Sequence, residues 1–247
     1  MTNYAIAAST RVSGNPTILD IATGPGEPAI SIAKRLPNAT VIASDLSEDM
    51  IKIASKAGEG VDNFKTVVAN AEDLSQFESN SIDIVTCCYG YMFPTDKPAA
   101  MSESYRVLKP GGTLIATTWD VLDFMAVIKD TMTEVLGFTP PPPPLNPMSL
   151  SEEGLFYNLV RDAGFGSIQQ TTSTYPFNLG SDKDFQFTVG TLLVREKLNQ
   201  MTAEGDEKAW DRADKAFWAN IGKYSDEVNG EMLIPRNTFR LTTAKKL

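Results

Sequence analysis

Between residues 17 and 119 the chain alternates short apolar runs with helical stretches, and that alternation limits the folds open to it. Thr17 to Ala22 has the pattern of a buried strand. Gly26 to Leu36 reads as a helix, with Pro28 in its first turn and Lys34 and Arg35 in its last. Val41 to Ser44 is a second strand, ending at Asp45. Ser47 is placed to cap a helix to about Ala57, with Glu48 and Asp49 in its first turn. Phe64 to Ala69, Ile82 to Cys88 and Gly112 to Trp119 are further strands, and Lys97 to Leu108 is helical. Strands that alternate with helices imply a parallel sheet with helices on both faces. Right-handed crossovers then restrict the topology.

The remainder is less regular. Val121 to Gly137 and Ser151 to Ala163 read as helices, the second stopped by Gly164. Pro140 to Pro144 favours a stiff, polyproline-like spacer. Ile168 to Phe177 and Thr238 to Lys245 are strand-like, with mainly helical sequence between them. There Trp210, Ala213, Phe217, Ile221 and Tyr224 recur at near-helical spacing, which reads as packing. With 247 residues and 42% hydrophobic content, a single domain is expected. Residues 1–120 are expected to form its ligand-binding half. Residues 121–165 and 178–235 supply lid and substrate-binding elements.

Charge and composition narrow the function. The formal net charge is −9, and no cluster of Lys and Arg suited to phosphate tracking is visible, so nucleic acid is not an expected partner. Histidine is absent, which removes the commonest general base and metal ligand. Cys87 and Cys88 are adjacent and point to opposite strand faces, so no bond between them is expected. No metal site is expected either, because no Cys cluster exists. No stretch approaches the ~20 apolar residues of a membrane span. Met1 to Gly14 lacks the apolar core of a signal peptide, and the early first strand points to a trimmed start. The expected location is the cytoplasm or an organelle lumen or stroma.

The chemistry is carried by the turn Asp20-Ile21-Ala22-Thr23-Gly24-Pro25-Gly26. A strand running into a glycine-bearing turn and then a helix is a ligand-binding arrangement. Glycines let a ligand approach the backbone, and open α/β sheets bind at the carboxyl ends of their strands. Two readings compete. A dinucleotide fold would use Gly24 and Gly26 with Ala29 in the third small position. A methyl donor, which carries an ammonium and a sulfonium, would use Asp20 as a counter-charge. Asp45 would accept from ribose hydroxyls in either case.

The segment Ile18 to Glu27 resembles the first motif of class I S-adenosylmethionine-dependent methyltransferases, nearest in flavour to the ubiquinone/menaquinone C-methyltransferase-like group. Ala22 stands where that family usually has glycine. Four further segments match in order. Ser44-Asp45-Leu46-Ser47 with Met50 is similar to the second motif, and Asn70-Ala71-Glu72-Asp73-Leu74 to the third, where the family often has aspartate at Asn70. Ser81 to Gly90 is similar to the fourth-strand motif, and Arg106 to Gly112 to the turn before the fifth strand. Dinucleotide dehydrogenases lack that turn.

The resemblance implies a Rossmann-like, doubly wound sheet of seven strands, mostly parallel with an antiparallel last strand, plus a helical substrate lid. It implies S-adenosylmethionine as cofactor, held by Asp20, Ala22, Thr23, Gly24, Gly26, Asp45, Leu46, Met50, Asn70, Ala71, Glu72, Cys88 and Tyr89. Tyr4, Tyr89, Tyr91 and Trp119 are expected on the substrate side, with Tyr4 folding over the cofactor. Aromatic faces there would steady a cationic product. The acceptor is expected to be a small molecule. Without histidine, the expected nucleophiles are those that need little deprotonation: a thioether sulfur, an amine or an activated carbon. A nicotinamide-dependent oxidoreductase and a non-catalytic cofactor-binding scaffold are the alternatives.

Overall fold

Residues 1–142 and 145–247 are described by the structure, a computed structural model. The last two residues of the proline run Pro140–Pro144 lie outside the described residues. The chain divides into two compact units. The first comprises Met1–Asp120, Leu145–Thr172 and Phe239–Leu247; the second comprises Val121–Pro144 and Ser173–Thr238.

In the first unit, α1 (Thr2–Ser9) precedes β1 (Thr17–Ile21), α2 (Ala29–Arg35), β2 (Thr40–Asp45), α3 (Glu48–Ala57) and β3 (Phe64–Val68). Then come β4 (Ile82–Cys88), α4 (Lys97–Val107) and β5 (Leu108–Leu122). After α5 (Asp123–Leu136), which lies in the second unit, come α6 (Leu155–Asp162) and β6 (Phe165–Asn178). Residues 183–228 hold α7 (Lys183–Thr191), a short 3-10 turn, α8 (Arg195–Ala203), α9 (Ala209–Ile221) and β7 (Asp226–Val228), before β8 (Glu231–Lys246).

The strand order is β3-β2-β1-β4-β5-β8-β6, with β7 paired to β8. Pairing is parallel from β3 through β5 and antiparallel among the C-terminal strands. The sheet is thus mostly parallel and Rossmann-like, as expected. It has eight strands among the described residues rather than seven, because β7 forms a hairpin with β8. The turn Asn229-Gly230 closes it with positive φ at both residues (54° and 80°), the geometry that Asn-Gly adopts most readily.

β1 and β4 read as continuous apolar runs because both faces are covered. Leu19, Ile21, Val85 and Cys87 face one cluster, completed by Met101, Val107, Phe156 and Val160 from α4 and α6. Ile18 and Ile84 face a second cluster with Ala5 of α1 and Ala29 and Ile32 of α2. Full burial of each such Leu or Ile side chain contributes ~1.5–3 kcal/mol. In the second unit, Ala213, Phe217 and Ile221 of α9 are buried in two clusters, and the Tyr224 hydroxyl donates to Asp130 Oδ2 at 2.8 Å. That stripe is packing. Among the described residues no helix is long and apolar enough to cross a membrane.

Candidate functional site

The carboxyl ends of β1, β2 and β4 converge on the turn after β1. Pro28, expected in the first turn of the helix, instead precedes it: residues 24–28 form turns and α2 begins at Ala29. The longer loop leaves backbone open. A Cβ on Gly24, whose φ is +55°, would meet nothing within 4 Å. Ala22 also holds a positive φ of 54°, which a glycine would adopt without strain. This is the backbone reason for the family's usual glycine there.

Asp20 is fully buried beneath this loop. Its register partner on β4 is Thr86, whose hydroxyl donates to Asp20 Oδ1. Among the described residues neither Asp20 Oδ2 nor the buried Thr23 Oγ1 beside it makes a hydrogen bond of normal geometry, although the Thr23 hydroxyl lies near enough to pull the Asp20 carboxyl down, as Thr86 does. Burial pushes the Asp20 carboxyl up to about 6, against the opposing pull of the Thr86 hydroxyl. A buried carboxylate oxygen without a donor is costly. A cation or an N–H donor entering the loop would relieve it.

Asp45, at the end of β2, ties the loop together. Its Oδ2 accepts from Gly24 N at 2.9 Å and its Oδ1 from Ser47 N at 2.9 Å. Each oxygen keeps a further lone pair. Ser47 caps α3 as expected, accepting from Met50 N at 3.3 Å. Leu46 and Met50 leave 69% and 38% of their surface exposed next to this acid, an apolar border to a polar loop.

The third motif is tied into the surrounding loops by its own hydrogen bonds. Asn70 is exposed, and its Oδ1 accepts from Glu72 N at 3.0 Å. Glu72 Oε1 accepts from the backbone of Thr95 at 2.5 Å and Asp96 at 3.0 Å, pinning the segment after β4. Ala71 packs against the first cluster. Arg106 fixes the neighbouring loop: its guanidinium donates to Leu74 O, Phe77 O and Ser79 Oγ and pairs with Glu103 at 2.6 Å.

At the end of β4, Cys88 is part-buried and accepts from the Thr117 hydroxyl at 3.7 Å. Burial raises both cysteine thiols above their ordinary range. Tyr89 turns with a φ of 55°. Its ring stacks on Trp119 at 4.2 Å and 5° between planes, and Phe239 meets both edge-on. Phe239 is not foreseeable from sequence, because only strand pairing brings β8 to this end of β5. Gly90 is required by close approach. A Cβ there would stand 2.5 Å from Cys87 Sγ and 2.6 Å from Ala22 Cβ.

Two expected substrate residues stand in other surroundings than Tyr89 and Trp119. Tyr91 is a core residue, 0% exposed, with its hydroxyl hydrogen-bonded to Ser104 Oγ at 2.7 Å and its ring against Phe156. Its neighbour Tyr89 takes the stack, and the turn between them sends Tyr91 inward. Tyr4 borders a groove with Arg11, Ile115 and Lys245 that contains no residue of the loop. The reason is that α1 packs through Ala5 and Ala8 beside Ile18 and Ile115. Asp120, by contrast, escapes sequence reasoning. It pairs with Arg240 at 3.1 Å, yet its Oδ1 and the Thr118 hydroxyl are buried without hydrogen bonds among the described residues. Burial raises the Asp120 carboxyl, against the pull of Arg240.

Comparison with known proteins favours one of the two readings of the loop. Residues 18–112 match a family model described as a methyltransferase domain. A ubiquinone/menaquinone biosynthesis C-methyltransferase UbiE of Rickettsia prowazekii is 39% identical over 108 residues. That match covers 41% of this chain and 43% of the relative, so the chain spans less than half the relative's length. The crystal structure of a methyltransferase of Bacillus halodurans covers 98% of this chain, and 97% of its own, with a TM-score of 0.59 at 22% identity. A phosphoethanolamine N-methyltransferase 2 of Haemonchus contortus, in complex with S-adenosyl-L-methionine, has a TM-score of 0.53 at 17% identity. It covers 99% of this chain and 53% of its own. At these identities the structural likeness shows the fold. Residues 18–112 are thus similar to a methyltransferase domain, and the fold is the one that solved methyltransferase structures share.

Proposed function

We propose that this chain binds S-adenosylmethionine at the β1 loop and transfers its methyl group to a small molecule. The observation that carries this reading is Asp20 Oδ2, a carboxylate oxygen buried beneath an open glycine loop, beside the Thr23 hydroxyl but without a hydrogen bond of normal geometry among the described residues. Such an oxygen suits the donor's ammonium, directly or through one water. The lone pairs of Asp45 left over from Gly24 and Ser47 suit two ribose hydroxyls. Leu46 and Met50 offer apolar contact to a purine, and Asn70 Oδ1 keeps a lone pair for its amine.

When bound, the donor supplies an electrophilic methyl carbon on a sulfonium. The chain's part is to hold the acceptor in line with that carbon, which is where most of the acceleration of such a displacement arises. The Tyr89–Trp119 stack and the Thr117 hydroxyl at the ends of β4 and β5 form one wall for the acceptor. Each ring already gives one face to the other, so only the outer faces serve it. Asp120 Oδ1 can take a hydrogen bond from an acceptor N–H or O–H. The acceptor class is a thioether, an amine or an activated carbon.

Calorimetric titration with S-adenosylmethionine, and with its demethylated product, tests the cofactor. Saturable binding is expected, weakened about ten- to a hundredfold in Asp45→Ala, which loses two loop contacts as well as the ribose acceptor. Folded protein that binds neither compound would overturn the proposal. Labelled donor incubated with a pool of small metabolites then identifies the acceptor.

A further inference from the structure

A second polar groove lies on the first unit, away from the loop. It runs between α1 and the face of β5, β8 and β6, as adjoining cavities of about 310 and 410 Å³ that share Ala8, Arg11, Thr113 and Lys245. In a chain of net charge −9, its unbalanced charge is positive. The one carboxylate on its border, Asp83, is already occupied: both of its oxygens accept from Lys109 Nζ at 2.9 Å, and Oδ2 also from Thr17 N at 2.9 Å. Among the described residues Lys245 Nζ donates only to neutral oxygens, Thr113 Oγ1 at 2.6 Å and Gly111 O at 3.2 Å. The Arg11 guanidinium has no hydrogen bond or ion pair among the described residues.

We propose that this groove is a binding site for a small phosphate-bearing anion, held between Arg11 and Lys245. Two cations from separate parts of the fold, one just after α1 and one on β8, converge with the hydroxyls of Ser13, Thr113 and Ser167. That set suits a tetrahedral dianion with several acceptor oxygens, and the arginine fork can bind two of them at once. The Lys245 ammonium is held below its ordinary range by burial and by repulsion from Arg11. A dianion between them would relieve both. Tyr4 and Ile115 give the groove an apolar wall for the organic part of such a ligand. The site does not depend on the methyl-donor assignment.

The test is titration of the full chain with inorganic phosphate at fixed pH and ionic strength, followed by backbone amide NMR shifts. Saturable shifts at Gly111, Gly112, Thr113 and Arg11 are expected, with succinate binding more weakly. Arg11→Gln lies on an exposed turn and leaves the fold intact; it should weaken phosphate at least about tenfold. Lys245→Arg, which keeps the charge, should retain binding. Asp45→Ala should leave phosphate binding unchanged. Shifts that never saturate, succinate binding as tightly as phosphate, or full affinity in Arg11→Gln would each overturn the proposal.

Discussion

Replacing Asp20 by asparagine removes a charge that the fold keeps fully buried, and the consequence can be read from pH alone. Burial raises the folded carboxyl from 3.8 to about 6. Between those values the native state holds one proton more than the unfolded chain, so stability falls as pH rises. The contribution is fully present below the unfolded value and lost above about 6. The displacement corresponds to about 3 kcal/mol, at 1.36 kcal/mol per pH unit. The side-chain amide of Asp20→Asn cannot titrate. It also introduces a fixed change, because its N–H groups face the place where Oδ2 now lacks a partner. That offset is independent of pH and cancels in a difference. Urea unfolding of wild type and Asp20→Asn at about pH 4 and about pH 8 therefore isolates the buried charge. The stability of wild type relative to the variant should fall by about 2 kcal/mol between the two conditions, because at about pH 4 the unfolded carboxyl is already more than half ionised. A flat difference, or one that rises with pH, would refute the reasoning that Asp20 is ionised against its surroundings. The variant should also bind the methyl donor more weakly even where it is the more stable protein, a trade expected at a binding site.

Other positions answer to the same kind of measurement. Arg106→Met should lower stability by about 2–3 kcal/mol, since it leaves the carbonyls of Leu74 and Phe77 without their donor and Glu103 without its partner; an unchanged urea midpoint would contradict the role of that turn. Gly90→Ala should cost about 1–3 kcal/mol through overlap with Cys87 and Ala22. Adding Ala22→Gly removes one of the two overlaps and should restore part of the loss. Strict additivity in that double-mutant cycle would show that the two residues do not touch.

Much of the fold was legible locally. β4 runs from Ile82 to Cys88, as its apolar run indicates, and Ser47 caps α3. These features depend on a residue's own neighbours in sequence. The hairpin of β7 and β8 carries its signal in Asn229-Gly230, but flanking residues that are exposed or half-buried give little strand periodicity, so that signal is faint. β5, β6 and β8 extend beyond their apolar stretches because strand pairing, which sequence does not display, prolongs them.

The chain's sequence by itself determined the alternating α/β plan, the glycine loop, and the acids Asp20 and Asp45 at two strand ends. All of these follow from periodicity and short-range turn chemistry. Tertiary structure alone decided which groups meet. It set Thr86 against Asp20 by register, and brought Phe239 to the Tyr89–Trp119 stack. It also buried Tyr91 in the core, and carried Tyr4 to a groove with Arg11 and Lys245. The physical reason is that a side chain's direction and its solvent come from long-range pairing and packing. Two tyrosines two residues apart can therefore end in a ring stack and in the core.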